Sequence, residues 1–198
     1  MKKLFLVIGS LILAGCFRSI NEAPKIDNYS SSQEQVSKSD ISTAERDSYI
    51  KEIREEVSRV DTFQSFQLVK KTILGMSTEG AHATYYLQQN NVRKIIVTFF
   101  GETGKTDEEI YYKENEPFFI FKKNYHYSKH IMEGGSSDES TVSETRIYIK
   151  NGKIISYVSS DSMLAESEWK DEEMRINLIN KGLFEALHSE SSEVSVSI

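Results

Sequence analysis

Cysteine is almost absent from this sequence of 198 residues, which contains a single one, at position 16. One cysteine cannot form a disulfide within the chain, and none follows position 16 to act as a nucleophile or to ligate zinc. Folds that depend on disulfides or on cysteine chemistry are therefore excluded for the rest of the chain. A domain there must be stabilised by its apolar core, and residues 42–188 are long enough to form one.

A basic surface is also missing from the sequence. The chain has 24 Lys and Arg against 30 Asp and Glu, so its net charge is −6, and it becomes −8 without Lys2 and Lys3. Domains that bind nucleic acid need clustered Lys and Arg with interleaved aromatic residues, and no segment has that pattern. We therefore predict no nucleic-acid partner.

Motifs for catalysis and metal binding are missing too. The segment "GETGKT" at 101–106 has two residues between its glycines where a phosphate-binding loop has four, so it predicts a hairpin loop. The acidic segments at 106–109 and 136–140 lack the spacing of a calcium loop, and there is no Gly-x-Ser-x-Gly. His126 and His130 lie in a segment that alternates like a strand, which separates them. The sequence thus predicts no enzyme, no cofactor and no metal site.

What the sequence does contain is a distinctive first segment, "MKKLFLVIGSLILAGC". Two lysines, an apolar run and small residues before Cys16 are typical of a secretory signal peptide. The run is too short for a transmembrane helix, which needs roughly 20 apolar residues. Residues 13–16, Leu-Ala-Gly-Cys, resemble the lipobox of bacterial lipoproteins.

That resemblance implies removal of residues 1–15 as a signal peptide and acylation of Cys16, which anchors the protein in the lipid bilayer. Position 17 is Phe rather than Asp. In the lipoprotein family this implies the outer membrane for a Gram-negative host, and the outer face of the plasma membrane for a Gram-positive one. The localisation expected is therefore the cell envelope.

A linker and a helix are predicted next along the chain. Residues 16–41 are rich in Ser, Asn, Gln and charge without periodicity, so beyond the lipidated Cys16 they predict a disordered tether. Ser42 and Glu45 fit a capping box. A helix over about 43–60 is indicated by one apolar stripe, formed by Ile50, Ile53, Val57 and Val60.

From about residue 65 the spacing changes to short alternating segments separated by turn residues. Seven candidate strands lie at 66–74, 81–88, 93–100, 107–113, 117–127, 144–150 and 153–159. Such strands predict an antiparallel meander, and Asn151-Gly152 predicts a type I′ turn. The continuous apolar runs in 93–100 and 117–121 predict central strands that are covered on both faces.

Helical spacing returns after residue 160, with one apolar face that includes Ile176, Ile179, Leu183 and Leu187. Glu172 and Glu173 are expected to face water. Residues 189–198 are rich in Ser and Glu and predict a flexible tail. The whole pattern predicts a single α+β domain over 42–188: an antiparallel meander sheet of six or seven strands with an N-terminal and a C-terminal helix.

Three segments share one plan of a Tyr-containing strand, a tight turn and an apolar strand: 83–97, 108–121 and 145–158. They resemble hairpins of uncharacterised small envelope lipoproteins with Tyr-Tyr-Asn-Gly turns. The resemblance implies a fold and brings no catalytic residue with it.

The strand tyrosines provide the candidate binding face, which comprises Tyr85, Tyr86, Tyr111, Tyr112 and Tyr148. Neighbours along a strand face opposite sides, so Tyr148 and one member of each pair are expected to face outward. The competing expectation is that the C-terminal helix covers that face through Trp169, Ile176 and Leu183.

The function indicated is that of a non-enzymatic envelope lipoprotein that has a structural role or binds a protein partner in the envelope. The alternative is an inhibitor or immunity-type protein that neutralises a toxin or hydrolase, since inhibition needs only a complementary surface.

Overall fold

The structure, a computed structural model, describes residues 42–196; the predicted signal peptide, Cys16 and the predicted tether lie outside the described residues. The elements in chain order are α1 (Thr43–Thr62), β1 (Gln67–Leu74), β2 (Ala81–Gln88), β3 (Asn91–Gly101), β4 (Gly104–Lys113), β5 (Glu116–Tyr127), β6 (Ser140–Lys150), β7 (Lys153–Ser159), α2 (Glu166–His188) and β8 (Glu193–Ser195). Two short 3₁₀ turns, Ile131–Glu133 and Ser137–Glu139, connect β5 to β6.

All strands of the described part of the chain belong to one sheet in the order β7-β6-β5-β4-β3-β2-β1-β8. From β1 to β7 each strand pairs antiparallel with the next one in sequence, so the predicted meander is confirmed for these seven strands. The α+β class with a helix before and after the meander is confirmed as well.

The eighth strand corrects the prediction of six or seven strands. Residues 193–195 were expected in a flexible tail, but they form β8, which pairs parallel with Thr72–Leu74 of β1. Val196 is buried, and its amide donates to the carbonyl of Leu74. The tail prediction was wrong because the pairing partner lies far away in the sequence, where a composition rich in Ser and Glu gives no sign of it.

Three tight hairpins lie at one end of the sheet and share their geometry. The central residues of each turn have positive φ, as a type I′ turn requires: Gln89-Asn90, Glu114-Asn115 and the predicted Asn151-Gly152. Each hairpin also has a shift in pairing one or two residues before the turn, after Tyr86, Tyr111 and Tyr148. The three similar segments of the sequence are therefore three similar hairpins.

The two helices cover opposite faces of the sheet. On β6, Ile147 and Ile149 belong to the core beneath α2, whereas Tyr148 between them belongs to the core beneath α1. The predicted capping box begins α1, where the Ser42 hydroxyl accepts from the Glu45 amide and the Glu45 carboxylate accepts from the Ser42 amide. On β5, Phe119 belongs to the core beneath α1 and Ile120 to the core beneath α2, so the predicted cover on both faces is confirmed for this strand.

Candidate functional site

The five tyrosines of the candidate binding face do not form an exposed patch. Tyr85 and Tyr112 are fully buried beneath α2, and the Tyr85 hydroxyl donates to the carbonyl of Leu183 at 2.7 Å. Tyr111 and Tyr148 are buried beneath α1. Tyr86 is half-buried with its ring against Phe66 at a centroid distance of 5.7 Å.

The expectation of an outward tyrosine face was wrong because both faces of the sheet carry a helix. Alternation along the strands does separate the members of each pair, as expected. The competing expectation named the C-terminal helix as the cover, and Trp169, Ile176 and Leu183 are indeed buried against the sheet. However, the cover over Tyr148 is the N-terminal helix, since Arg54 of α1 lies over the Tyr148 ring at 5.9 Å.

A buried lysine joins α1 to the sheet. The Nζ of Lys94 on β3 lies 2.9 Å from Asp61 Oδ1 and 2.9 Å from the Tyr111 hydroxyl, and it also pairs with Glu109. Burial would lower the pKa of Lys94, but its hydrogen bonds to Glu109, Tyr111 and Asp61 outweigh burial and hold that pKa above its ordinary value. All three N–H donors of this ammonium group have acceptors within the protein. The cluster therefore joins α1 to the sheet and leaves no lysine donor for a ligand.

A second set of charged side chains lies between α2 and the sheet, and here the structure leaves a cavity of about 450 Å³. We call this cavity the α2 groove. Its polar lining comes from β4, β5 and α2, namely Thr106, Glu108, Lys122, Asn124, Glu172 and Arg175. Its apolar lining is Met76, Phe99, Leu178 and Ile179.

Arg175 connects the two carboxylates of the groove. Its Nε and Nη2 donate to the two oxygens of Glu172 at 2.8 and 2.9 Å, and its Nη1 lies 3.1 Å from Glu108 Oε1. Glu108 is almost completely buried, with 2% of its side chain exposed. A carboxylate this deep needs a paired cation, because removing an isolated charge from water is very unfavourable.

Glu172 is therefore not the water-facing residue that the sequence predicts. Burial would raise its pKa, but hydrogen bonds and charge from Arg175, with a further contribution from Lys122, hold that pKa below its ordinary value. Glu173 also turns inward, since its Oε1 accepts from the amide of Ile154 at 2.9 Å and its Oε2 pairs with Lys153.

Sequence reasoning missed the groove, although one local signal was present. Glu108 shares its face of β4 with Ile110 and Tyr112, so it is a charged residue on an otherwise apolar face. On β5, Lys122 follows Ile120 on the same face in the same manner. Charges that interrupt the buried face of two neighbouring strands were the available sign of a polar site.

The remaining candidate motifs have structural roles. His126 is exposed on β5, whereas His130 begins a 3₁₀ turn, accepts from the Met132 amide and pairs with Glu102. Within residues 42–196, no group of three or more His, Cys, Asp or Glu could hold a metal ion. Within the segment 101–106, Glu102 and Thr103 form the turn between β3 and β4, so the predicted hairpin loop is confirmed.

Compared with known proteins, the chain matches no family model, no curated protein and no solved structure. None of the helices in the described part of the chain has the length and apolar character needed to cross a bilayer.

Proposed function

We propose that the protein is a membrane-anchored lipoprotein of the bacterial envelope and that its folded domain binds a ligand in the α2 groove. The observation that carries the binding role is the cavity itself, about 450 Å³ with a few polar groups among apolar walls. Sites for small molecules typically have about 300–1,000 Å³ and this mixture of side chains.

The charges in the groove favour binding over catalysis. A general acid or base works best with a pKa near the working pH. Arg175 and Lys122 instead hold the pKa of Glu172 below the ordinary value for a carboxyl group, which is further from neutral pH. Glu172 therefore stays ionised at neutral pH and serves to orient Arg175 at the edge of the cavity.

The anchoring role rests on residues 1–16, with Cys16 as the acylated residue and the Leu-Ala-Gly-Cys pattern as its signal. Residues 17–41 separate Cys16 from the cap of α1, and a flexible chain of that length spans roughly 25–30 Å. Such a tether would hold the groove clear of lipid headgroups and leave it open to ligands in the envelope. For a Gram-negative host the membrane proposed is the outer membrane.

The anchor is tested by Cys16→Ser in the full chain, with Ser19→Ala as the matched control. Cells are fed a labelled fatty acid, and the protein is followed through detergent phase separation. The parent chain and Ser19→Ala should carry the label and enter the detergent phase, whereas Cys16→Ser should carry none. Equal labelling of Cys16→Ser would reject the anchor.

The binding role is tested with a panel of soluble acids, bases, sugars and neutral compounds, observed by ligand NMR. Leu178→Lys places a long charged side chain at the apolar edge of the groove, and Met174→Lys makes the same change one turn earlier, outside the lining. Both parent residues are substantially exposed, at 44% and 53%, so neither change should unfold the domain. At least one compound that binds the parent chain should bind the Met174→Lys variant but not the Leu178→Lys variant. The proposal would be contradicted if every such compound still bound the Leu178→Lys variant, or if no compound bound the parent chain.

A further inference from the structure

The α2 groove is polar at one end and apolar at the other. The helix crosses the strands from β7, where Glu173 contacts Ile154, towards β1, where Lys71 donates to the carbonyl of Ser189 just after the helix. Glu172 therefore faces Lys122 of β5, whereas Leu178 shares the other end with Phe99 of β3. From Glu172 to Leu178 the helix rises about 9 Å, and from β5 to β3 the sheet extends over two strand spacings, about 9.5 Å. The polar residues of the helix therefore lie opposite the polar residues of the sheet, and the apolar residues opposite the apolar ones.

The polar end has hydrogen-bond donors that the protein satisfies only in part. Lys122 Nζ lies 3.5 Å from Glu172 and 3.8 Å from Glu108, which are long contacts for a group with three N–H donors. Asn124 accepts from the Thr106 hydroxyl at 3.0 Å through its carbonyl oxygen, and its amide N–H groups have no partner among residues 42–196. Two side chains on the same face of β5 thus offer donors to the cavity.

The carboxylates at this end are less available, because Arg175 already binds both of them. Its guanidinium group makes a two-point contact with Glu172 and a single one with Glu108. A ligand that brings a negative group would complete the shells of Lys122 and Asn124, whereas a ligand that brings a positive group would compete with Arg175. The hydrogen bond from Lys122 to such a group would be charge-assisted, a class roughly twice as strong as hydrogen bonds between neutral groups.

From this arrangement we propose that the α2 groove binds a small amphipathic anion. The anionic group contacts Lys122 and Asn124, and the apolar tail lies among Met76, Phe99 and Leu178. The proposal rests on the binding role given above and adds the chemical class of the ligand. A medium-chain carboxylate such as octanoate has both parts and is small enough for a cavity of about 450 Å³.

The test uses the full chain in lipid nanodiscs and an octanoate that carries a photoreactive diazirine at the end of its tail. After illumination, mass spectrometry should find the adduct at Met76 or Leu178. Lys122→Gln should reduce labelling about tenfold, the scale expected for a lost charge-assisted hydrogen bond. Lys123→Gln is the matched control, because the next residue faces the other side of the sheet, where Lys123 lies over the Phe121 ring.

Competition with unlabelled compounds shows whether binding depends on the negative charge of the ligand or only on its apolar tail. Unlabelled octanoate should abolish the adduct, while octylamine and octanol at the same concentration should leave most of it. Asn124→Leu provides a second variant that keeps every ion pair and should also weaken labelling. Urea unfolding of each variant shows whether the domain still folds.

Two results would overturn the proposal: octylamine or octanol that competes as well as octanoate, or labelling of folded Lys122→Gln at the level of the parent chain. If the panel then yields a neutral or basic compound that is lost with Leu178→Lys, the binding role stands and only the anionic ligand is rejected.

Discussion

Two lysines on opposite faces of the sheet show how the two helix–sheet interfaces differ. Lys94 beneath α1 has three acceptors for its three N–H donors, from Asp61, Glu109 and Tyr111. Lys122 beneath α2 has two carboxylates at 3.5 and 3.8 Å and borders an open cavity. A buried lysine whose N–H donors all have close acceptors, such as Lys94, joins a helix to the sheet. A lysine with only long contacts beside a cavity, such as Lys122, can still donate to a ligand.

The apolar parts of the two interfaces differ in size as well. The core beneath α2 includes twenty buried residues, which come from seven of the eight strands, from the helix and, in the case of Val196, from just after β8. The core beneath α1 includes seven. Stability should therefore depend more on the α2 face, although that face also contains the groove.

Truncation of a core leucine on the α2 face should have the largest effect. Leu183 has no exposed surface, and Leu183→Ala should lower the free energy of unfolding by about 4 kcal/mol, within the range for buried Leu→Ala changes. Ile53→Ala on α1 should cost about 2–3 kcal/mol, because fewer buried neighbours surround it. Urea unfolding followed by the fluorescence of Trp169, the single tryptophan, measures both; a larger loss for Ile53→Ala would contradict the account.

Removal of the groove's arginine should come next. Arg175→Met leaves the buried Glu108 with only the distant Lys122, so a loss of about 3 kcal/mol is expected. The double variant with Glu108→Gln should recover about half of this loss, because the unpaired charge is gone. A double variant no more stable than Arg175→Met would show that Glu108 is not the source of the cost.

Lys94→Met makes the matching change beneath α1 and should cost less, about 2 kcal/mol. Its two carboxylate partners, Asp61 and Glu109, are 44% and 33% exposed, so water can solvate them when the cation is removed. The same urea unfolding experiment compares the two variants. A larger loss for Lys94→Met than for Arg175→Met would reverse the proposed roles of the two clusters.

The helices, the order of the strands and the tight turns could be predicted from sequence because their signals are local. A capping box, a stripe of Ile and Val, alternating segments and Asn151-Gly152 each report on their neighbours along the chain. Two strand ranges, 81–88 and 153–159, were predicted with the bounds that the structure has.

The charges on β4 and β5 could have indicated a polar site, but the groove itself and the pairing of β8 could not be predicted, because they depend on residues that are distant in sequence. Glu108, Lys122 and Arg175 come from three elements, and only the direction of α2 across the sheet brings them together. The prediction of an exposed tyrosine face was wrong for the same reason. Alternation shows which residues lie on each side of a strand, but it does not show which element covers that side.

The smallest expected effect is a pH dependence of the stability that Glu172 contributes. The pKa of Glu172 is lowered in the folded state by Arg175 and Lys122, against the effect of burial. Its ion pairs therefore add stability above the ordinary carboxyl pKa of about 4.5, and this is lost as the pH falls through the lowered folded value. Glu172→Gln should cost about 1 kcal/mol at pH 7, the scale of a partly solvated ion pair, and less at pH 3.

Glu185→Gln is the control for this prediction, since Glu185 is exposed on the same helix and has no ion pair within residues 42–196. Its unfolding free energy should differ from that of the parent chain by a similar small amount at both pH values. A cost of Glu172→Gln that is the same at pH 3 and pH 7 would contradict the proposed pairing.

The claim that the α2 face is open to a ligand while the α1 face is closed is tested most directly by methyl NMR of the full chain during titration with octanoate. Ile179 lines the groove and Ile53 lies in the core beneath α1, so two methyl groups of the same kind report on the two faces. The account predicts saturable shifts for Ile179 and for Met76, with Ile53 unchanged. Shifts at Ile53 as large as those at Ile179, or none at either residue up to saturating octanoate, would contradict it.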